Sequence, residues 1–361
     1  MKTARSVATS ASLNPDTYIY KILPISTAMG SISSDDSLRV IDPPTLELRG
    51  TIGGVHDGVT CLSGFRDRLG LTAGRDGLLK CIDLRTKNTT FELSEEKKPA
   101  ILSTACQENL IATGAELTNS QAAITVWDAR ASKRSLLHYV ESHSDDVTDL
   151  CFHTSHPSIL LSGSTDGLVN LYDTTVADED DALVQVFNHG SSIAHAGFLS
   201  DHEVFALSHD EAFSIYESNR SDHVEAPIPT YALGDLRPQL QCEYVVDLVS
   251  SESTGTVLGA GSHSLHQLDV VPLHRGSEWG LDTANTLRLP SAHGEEVVRS
   301  LCLSRDGNTI FTAGEDGLIK AWRSSEDSTV TVEAEDSGNA DKKRKNQKHS
   351  GKDERARFKP Y

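Results

Sequence analysis

Three groups of residues in this chain combine a histidine, a hydroxyl and a carboxylate, the set that acyl-transfer enzymes use to activate a nucleophile. They are His56 with Thr72 and Asp76, His143 with Ser162 and Asp166, and His293 with Thr312 and Asp316. The histidine precedes the aspartate by 20, 23 and 23 residues, the hydroxyl precedes it by 4, and 6 residues after it comes Ile82, Tyr172 or Trp322. A nucleophilic reading fails on three counts. The order does not suit an α/β-hydrolase, no G-x-S-x-G elbow is present, and the constellation recurs three times, whereas a catalytic set is not repeated once per structural unit. No P-loop, dinucleotide fingerprint or metal-ligand cluster occurs either, so the chain is read as non-enzymatic, with no cofactor and no metal. The same residues make sense as braces. A buried aspartate needs donors, and the histidine supplies one from the preceding loop. The second ring nitrogen meets the hydroxyl, which Tyr172 or Trp322 bonds in turn, and such linked bonds specify one geometry.

The elements that must hold these residues are short strands. Each aspartate is followed by glycine (Gly77, Gly167, Gly317), a tight-turn signal inside alternating apolar and polar residues such as Leu168-Val-Asn-Leu-Tyr-Asp173. Repeats of roughly 40 residues bury their apolar faces only by stacking on one another. Seven units are read: Tyr18–Ile52, Val55–Leu93, Pro99–Val140, Ser142–Phe187, a degenerate fifth at His189–Val224, a degenerate sixth at Arg237–Leu289, and a seventh from Ser291 to beyond Ser324. Period-2 alternation sets one strand face against each neighbouring unit, and a radial array leaves only short edges. The expectation is an all-β chain: a disordered lead-in at 1–16, a single seven-bladed β-propeller at 17–333, and a disordered basic tail at 334–361. Two segments supply candidates for the outer strand of the seventh unit, Thr329–Glu333 and Ser6–Ser10, and the residues leave both open. Asp178–Asp181 and Leu273–Leu287 read as insertions between third and fourth strands.

Charge is divided along the chain. Residues 342–361 carry a net of +7, so the total of −19 leaves −26 on the rest. Such a body repels phosphates and disfavours nucleic acid except through the tail. No run of 18 apolar residues or secretory signal is seen, so no membrane association is expected. The six cysteines show no C-x-x-C spacing and read as buried free thiols of a reducing compartment.

The repeated His, Ser/Thr, Asp and aromatic set, with Trp127-Asp128 and the near matches Ile82-Asp83 and Tyr172-Asp173, resembles the WD-repeat family of β-propellers over residues 18–324. Further stretches resemble a narrower subfamily: Glu141–Thr148, Ser162–Asn170, the acidic run Glu179–Val184, and His209–Glu211. The resemblance implies a seven-bladed WD-repeat propeller that serves as a scaffold for protein partners, with no small-molecule substrate. It places the first-loop and Asp-Gly residues on one rim: Asp57, Arg75, Asp145, Asp146, Glu295, Glu296 and Glu315. Clustered acids there would attract a basic protein, such as a ribosomal-protein segment or a histone tail. It also offers an alternative, since Trp127-Asp128-Ala129-Arg130 resembles the W-D-x-R ending with which substrate receptors dock on cullin-RING ubiquitin ligase adaptors. Lys342, Lys343, Arg344 and Lys345 form a compact basic cluster suited to an import receptor, giving an expected nuclear or nucleolar address.

Overall fold

The computed structural model describes residues 1–131, 134–218, 229–251 and 254–325. Its strands form five four-stranded antiparallel sheets and one nine-stranded sheet, which is two further four-stranded blades fused at their outer edges with one extra short strand. In blade one the strands are Ile19–Ile25, Ala28–Ser33, Ser37–Ile41 and Leu48–Ile52, in order from first to last. Blade four runs Val147–Phe152, Ile159–Ser164, Leu168–Asp173 and Leu183–Asn188. The strands of blade one are joined by short turns, as the spacing predicts.

Seven hydrophobic clusters hold the blades, one at each seam. Alternation along a strand feeds two of them at once: Leu160 packs with blade three, whereas Ile159 and Leu161 pack with blade five. The ring is closed, because Ile19, Ile22, Met29 and Ile41 of blade one pack against Cys302, Phe311, Ile319 and Ala321 of blade seven. Hydroxyls on the first strands stitch neighbouring blades. Ser103 Oγ donates to Val147 O at 2.8 Å, Thr148 Oγ1 to Ile193 O at 2.7 Å, and Ser300 Oγ accepts from Ile22 N at 3.1 Å across the closing seam.

Several expectations need correction. Residues 1–16 are not a disordered lead-in, since Lys2–Thr9 is a strand. It is the fourth strand of blade seven, pairing antiparallel with Ile319–Ser324 in the register Ala4↔Ser324 to Thr9↔Lys320. Ala4 is 2% exposed beside Trp322, so burial of its methyl and pairing of an otherwise open edge hold the segment. The same strand pairs in parallel with Leu287–Pro290 of blade six through Lys2↔Leu287 and Thr3↔Arg288, which fuses the two blades. The rival closing segment Thr329–Glu333, the tail 334–361 and the cluster Lys342–Lys345 lie outside the described residues. Blade five ends later than Val224, because its fourth strand is Tyr231–Asp235. Of the cysteines, Cys81 and Cys302 are buried, whereas Cys61, Cys106, Cys151 and Cys242 are only half-buried; all six are free.

Both insertions are ordered and anchored. Asp178 caps a one-turn helix, Glu179–Ala182, by accepting from the backbone N–H groups of Asp180 and Asp181. The Glu179 carboxylate accepts from the backbone N–H groups of Val140, Glu141 and Ser142 at 2.6, 2.9 and 2.8 Å. In blade six, Trp279–Leu281 adds a short strand to Gln267–Arg275. Its Trp279 Nε1 and the nearby Arg275 both donate to Glu203 of blade five, each at 2.9 Å.

Candidate functional site

The three His-hydroxyl-carboxylate sets assemble in the same way in blades two, four and seven. His56 Nδ1 lies 3.0 Å from Asp76 Oδ1 and its Nε2 lies 3.0 Å from Thr72 Oγ1. For His143 the distances to Asp166 and Ser162 are 3.0 and 2.7 Å, and for His293 to Asp316 and Thr312 they are 2.7 and 2.8 Å. Nδ1 facing a carboxylate carries the proton, which leaves Nε2 to accept from the hydroxyl. Trp322 Nε1, which can only donate, meets Thr312 Oγ1 at 2.9 Å, so blade seven holds an unbroken chain from indole to carboxylate. In blade four the aromatic also has other partners: Tyr172 OH bonds Ser142 Oγ at 2.7 Å and accepts from Asn170 Nδ2 at 3.1 Å. Blade two stops at Thr72, because Ile82 has no donor.

These sets are sealed. Thr72, Ser162 and Thr312 are 0% exposed, so no substrate can reach the hydroxyls. Burial opposes the charge of Asp166, yet the bond and charge of His143, with the backbone N–H groups of Ser144 and Leu168, together offset this and its pKa is lowered. Burial lowers the pKa of His56, against the pull of Asp76, and favours its neutral ring. Each aspartate also accepts the backbone N–H two residues on (Leu78, Leu168, Leu318), which shapes the turn. The following glycines have φ of +69°, +85° and +67°. A Cβ on Gly77 would lie 2.4 Å from Lys98 O, just before blade three, and one on Gly317 would lie 2.8 Å from Thr17 O, just before blade one. The motif therefore braces its own blade and admits the next.

The expected rim residues share the end of the sheets where the Asp-Gly turns lie, but they differ in availability. Asp57, Glu295 and Glu296 are exposed. Arg75 is paired with Glu116 at 2.9 Å, and Arg299 Nε holds Glu315 at 2.7 Å. Asp146 accepts from Leu117 N at 2.7 Å, and Asp145 from Asp146 N at 2.9 Å. At the same end a cleft of about 620 Å3 opens among blades five, six and seven, lined in part by His195, Glu211, Glu243, Tyr244, His263 and Arg299. Sequence reasoning missed it, because its side chains come from degenerate blades without the Asp-Gly signal. Burial raises the pKa of Glu211, whereas hydrogen bonding from Ser264 lowers that of Glu243. His195 spans three blades, 3.5 Å from Asp149 and 3.8 Å from Asp247.

The W-D-x-R residues divide between core and surface. Trp127 is 4% exposed, packed between blades two and three, with Nε1 3.4 Å from Thr113 Oγ1. Arg130 is exposed, and its guanidinium forks onto Asp128 at 3.0 and 2.7 Å, which holds the Asp128 pKa down at about 2. Blade six, without a histidine set, carries another brace: Arg288 binds the buried Asp269 bidentately at 2.8 and 2.7 Å.

A closed ring of four-stranded blades with sealed internal braces and open loop ends defines a β-propeller built for surface contact. The family model for the WD domain, G-beta repeat, matches residues 134–173 and 284–323. Each match begins with the outer strand of one blade and ends with the third strand of the next, so the sequence repeat is offset from the structural blade. An uncharacterized WD repeat-containing protein of Saccharomyces cerevisiae is 37% identical over 68% of this chain, which spans 61% of that relative's own length. Another from Schizosaccharomyces pombe is 32% identical over 70% of this chain and 78% of its own. The chain belongs to the WD-repeat family. The narrower resemblance is to WD repeat-containing protein 89, whose Dictyostelium discoideum homolog is 26% identical over 53% of each chain.

Proposed function

We propose that this protein is a non-enzymatic scaffold that binds a basic protein segment at the acidic Asp-Gly end of its propeller. WD-repeat proteins are generally protein-interaction scaffolds. The observation that carries the finer reading is the exposure of Asp57, Glu295 and Glu296 at the Asp-Gly end of the blades, where a separate cleft also holds Glu211 and Glu243. Exposed carboxylates gathered on one rim raise the on-rate of a cation-rich partner. Histone-tail and ribosomal-protein segments have that chemistry. The test is binding of a lysine-rich peptide by the full chain and by an Asp145→Lys, Glu295→Lys variant across a salt series. The variant should bind about tenfold more weakly at low ionic strength, with a shallower salt slope. Equal affinity and slope would remove the rim from consideration. The address we propose is nuclear, through Lys342–Lys345. A tagged chain lacking residues 342–361 should leave the nucleus, and a retained nuclear signal would count against it.

The exposed Arg130 supports a second reading, docking on a ubiquitin-ligase adaptor. Its bidentate hold on Asp128 means the adaptor must engage the pair as a unit or displace it. Co-purification of the adaptor with the full chain, lost on Arg130→Ala, would support this reading; absence of the adaptor from the wild-type preparation would dismiss it.

A further inference from the structure

The opposite end of the propeller, where first strands turn into second and third into fourth, has different chemistry. Between blades one and two a cleft of about 390 Å3 is floored by Ile25 and Leu84 and walled by Arg49, Arg68, Arg85 and Lys87. Its lining holds four cations and no carboxylate, on a body that carries −26 outside the tail. The cations come from three different places in the chain, the strand that holds Arg49, the turn of Arg68 and the turn of Arg85 and Lys87, which only the fold brings together. Arg49 is held by Asp42 and by Thr27 O, and Arg85 lies 3.9 Å from Asp83. Arg68 and Lys87 are exposed and form no ion pair among the described residues. Lys87 reaches across blade one's outer strand at Gly50, where a Cβ would sit 2.2 Å from its Nζ. The missing side chain at Gly50 therefore allows the ammonium to lie over the cleft.

We infer that this cleft binds an acidic protein segment carrying one apolar side chain, with the apolar group on Ile25 and Leu84 and the carboxylates among Arg68, Arg85 and Lys87. Charge complementarity selects the occupant, since local cations govern the field within a screening length of roughly 8 Å even on an acidic body. Nucleic acid suits the site less. The lining offers no aromatic ring on which a base could stack, and a long polyanion would meet the acidic remainder of the molecule. This site lies at the other end of the blades from the proposed basic-partner rim and does not depend on it.

The experiment titrates the full chain with a fluorescein-labelled peptide of four glutamates, one leucine and four further glutamates. Controls are the same peptide with serine for leucine and a labelled oligouridylate. We expect the leucine peptide to bind at least fivefold tighter than the serine peptide. Arg68→Glu with Lys87→Glu should weaken it at least tenfold, while the rim variant Asp145→Lys, Glu295→Lys does not weaken it. Both reversals are at exposed positions, and unchanged thermal unfolding would verify the fold. Gly50→Leu, which crowds Lys87, should weaken binding in the same direction. Equal binding by the Arg68→Glu, Lys87→Glu variant, equal affinity for the serine peptide, or tighter binding of the oligouridylate would each overturn the assignment.

Discussion

A threonine that accepts one hydrogen bond and donates another links two otherwise independent groups, and Thr312 does so between Trp322 and His293. Thr72 serves only His56. Thr312→Val should therefore destabilise the protein by about 1 kcal/mol more than Thr72→Val, because it orphans a second buried polar group. Urea unfolding of the two variants measures the difference. His195 is a separate case. Burial by itself would depress its pKa, but the carboxylates of Asp247 and Asp149 more than offset this and raise it to about 9. The sign follows from linkage: a folded-state pKa above the unfolded value near 6.5 gives stability that is full below pH 6.5 and lost as pH rises through 9. Thermal unfolding of His195→Gln should converge on the wild type above pH 9 and fall below it at pH 6; parallel profiles would show that the charge contributes nothing. His56 acts in the opposite sense. Its lowered pKa means stability is lost as pH falls below 6.5 toward the folded value.

At the scale of elements, closure depends on the first strand. Lys2–Thr9 completes blade seven and touches blade six, so its removal opens two sheet edges and uncovers Trp322 at once. Deleting residues 1–10 should lower the melting temperature by more than 10 °C. Ala4→Glu, which sets a carboxylate against Trp322, should cost about 3 kcal/mol without shortening the chain. Calorimetry of both variants tests the point, and an unchanged transition would mean that another segment closes the blade. The same scale explains the two insertions. The Glu179 carboxylate satisfies three backbone donors where the chain passes from blade three to blade four. Glu203 ties the blade-six insertion to blade five. An acidic run that looks like a binding patch in one dimension is in part a cap.

For the molecule as a whole, the two proposed sites lie at opposite ends of the blades: exposed Asp57, Glu295 and Glu296 at the Asp-Gly end, and a cleft lined by four cations at the other. A ring of similar blades makes such separation easy to build, since turns at each end are free to vary while alternating strands keep the seams apolar. Basic and acidic peptides should accordingly bind at once and independently. A competition titration in which either peptide displaces the other would contradict this separation.

What the amino-acid order determined alone was the local and repetitive part. Asp-Gly turns, period-2 alternation and a histidine at 20 or 23 residues from its aspartate are short-range signals. The repeated sets marked out three blades, and alternation most of the others, with braces that needed no substrate. The closing strand was decided only in three dimensions, because two segments of similar alternation competed and the choice rested on pairing with Ile319–Ser324 and burial of Ala4. So was the availability of each charge. Asp146, Glu179 and Glu315 read like Asp57 and Glu296 in sequence, yet the first three are bound to backbone or arginine and the last two are exposed. The basic cleft joins Arg49, Arg68, Arg85 and Lys87 from blades that meet only when packed. Turn chemistry acts between neighbours in the chain, whereas pairing and charge compensation act between neighbours in space, and the ring decides who those are.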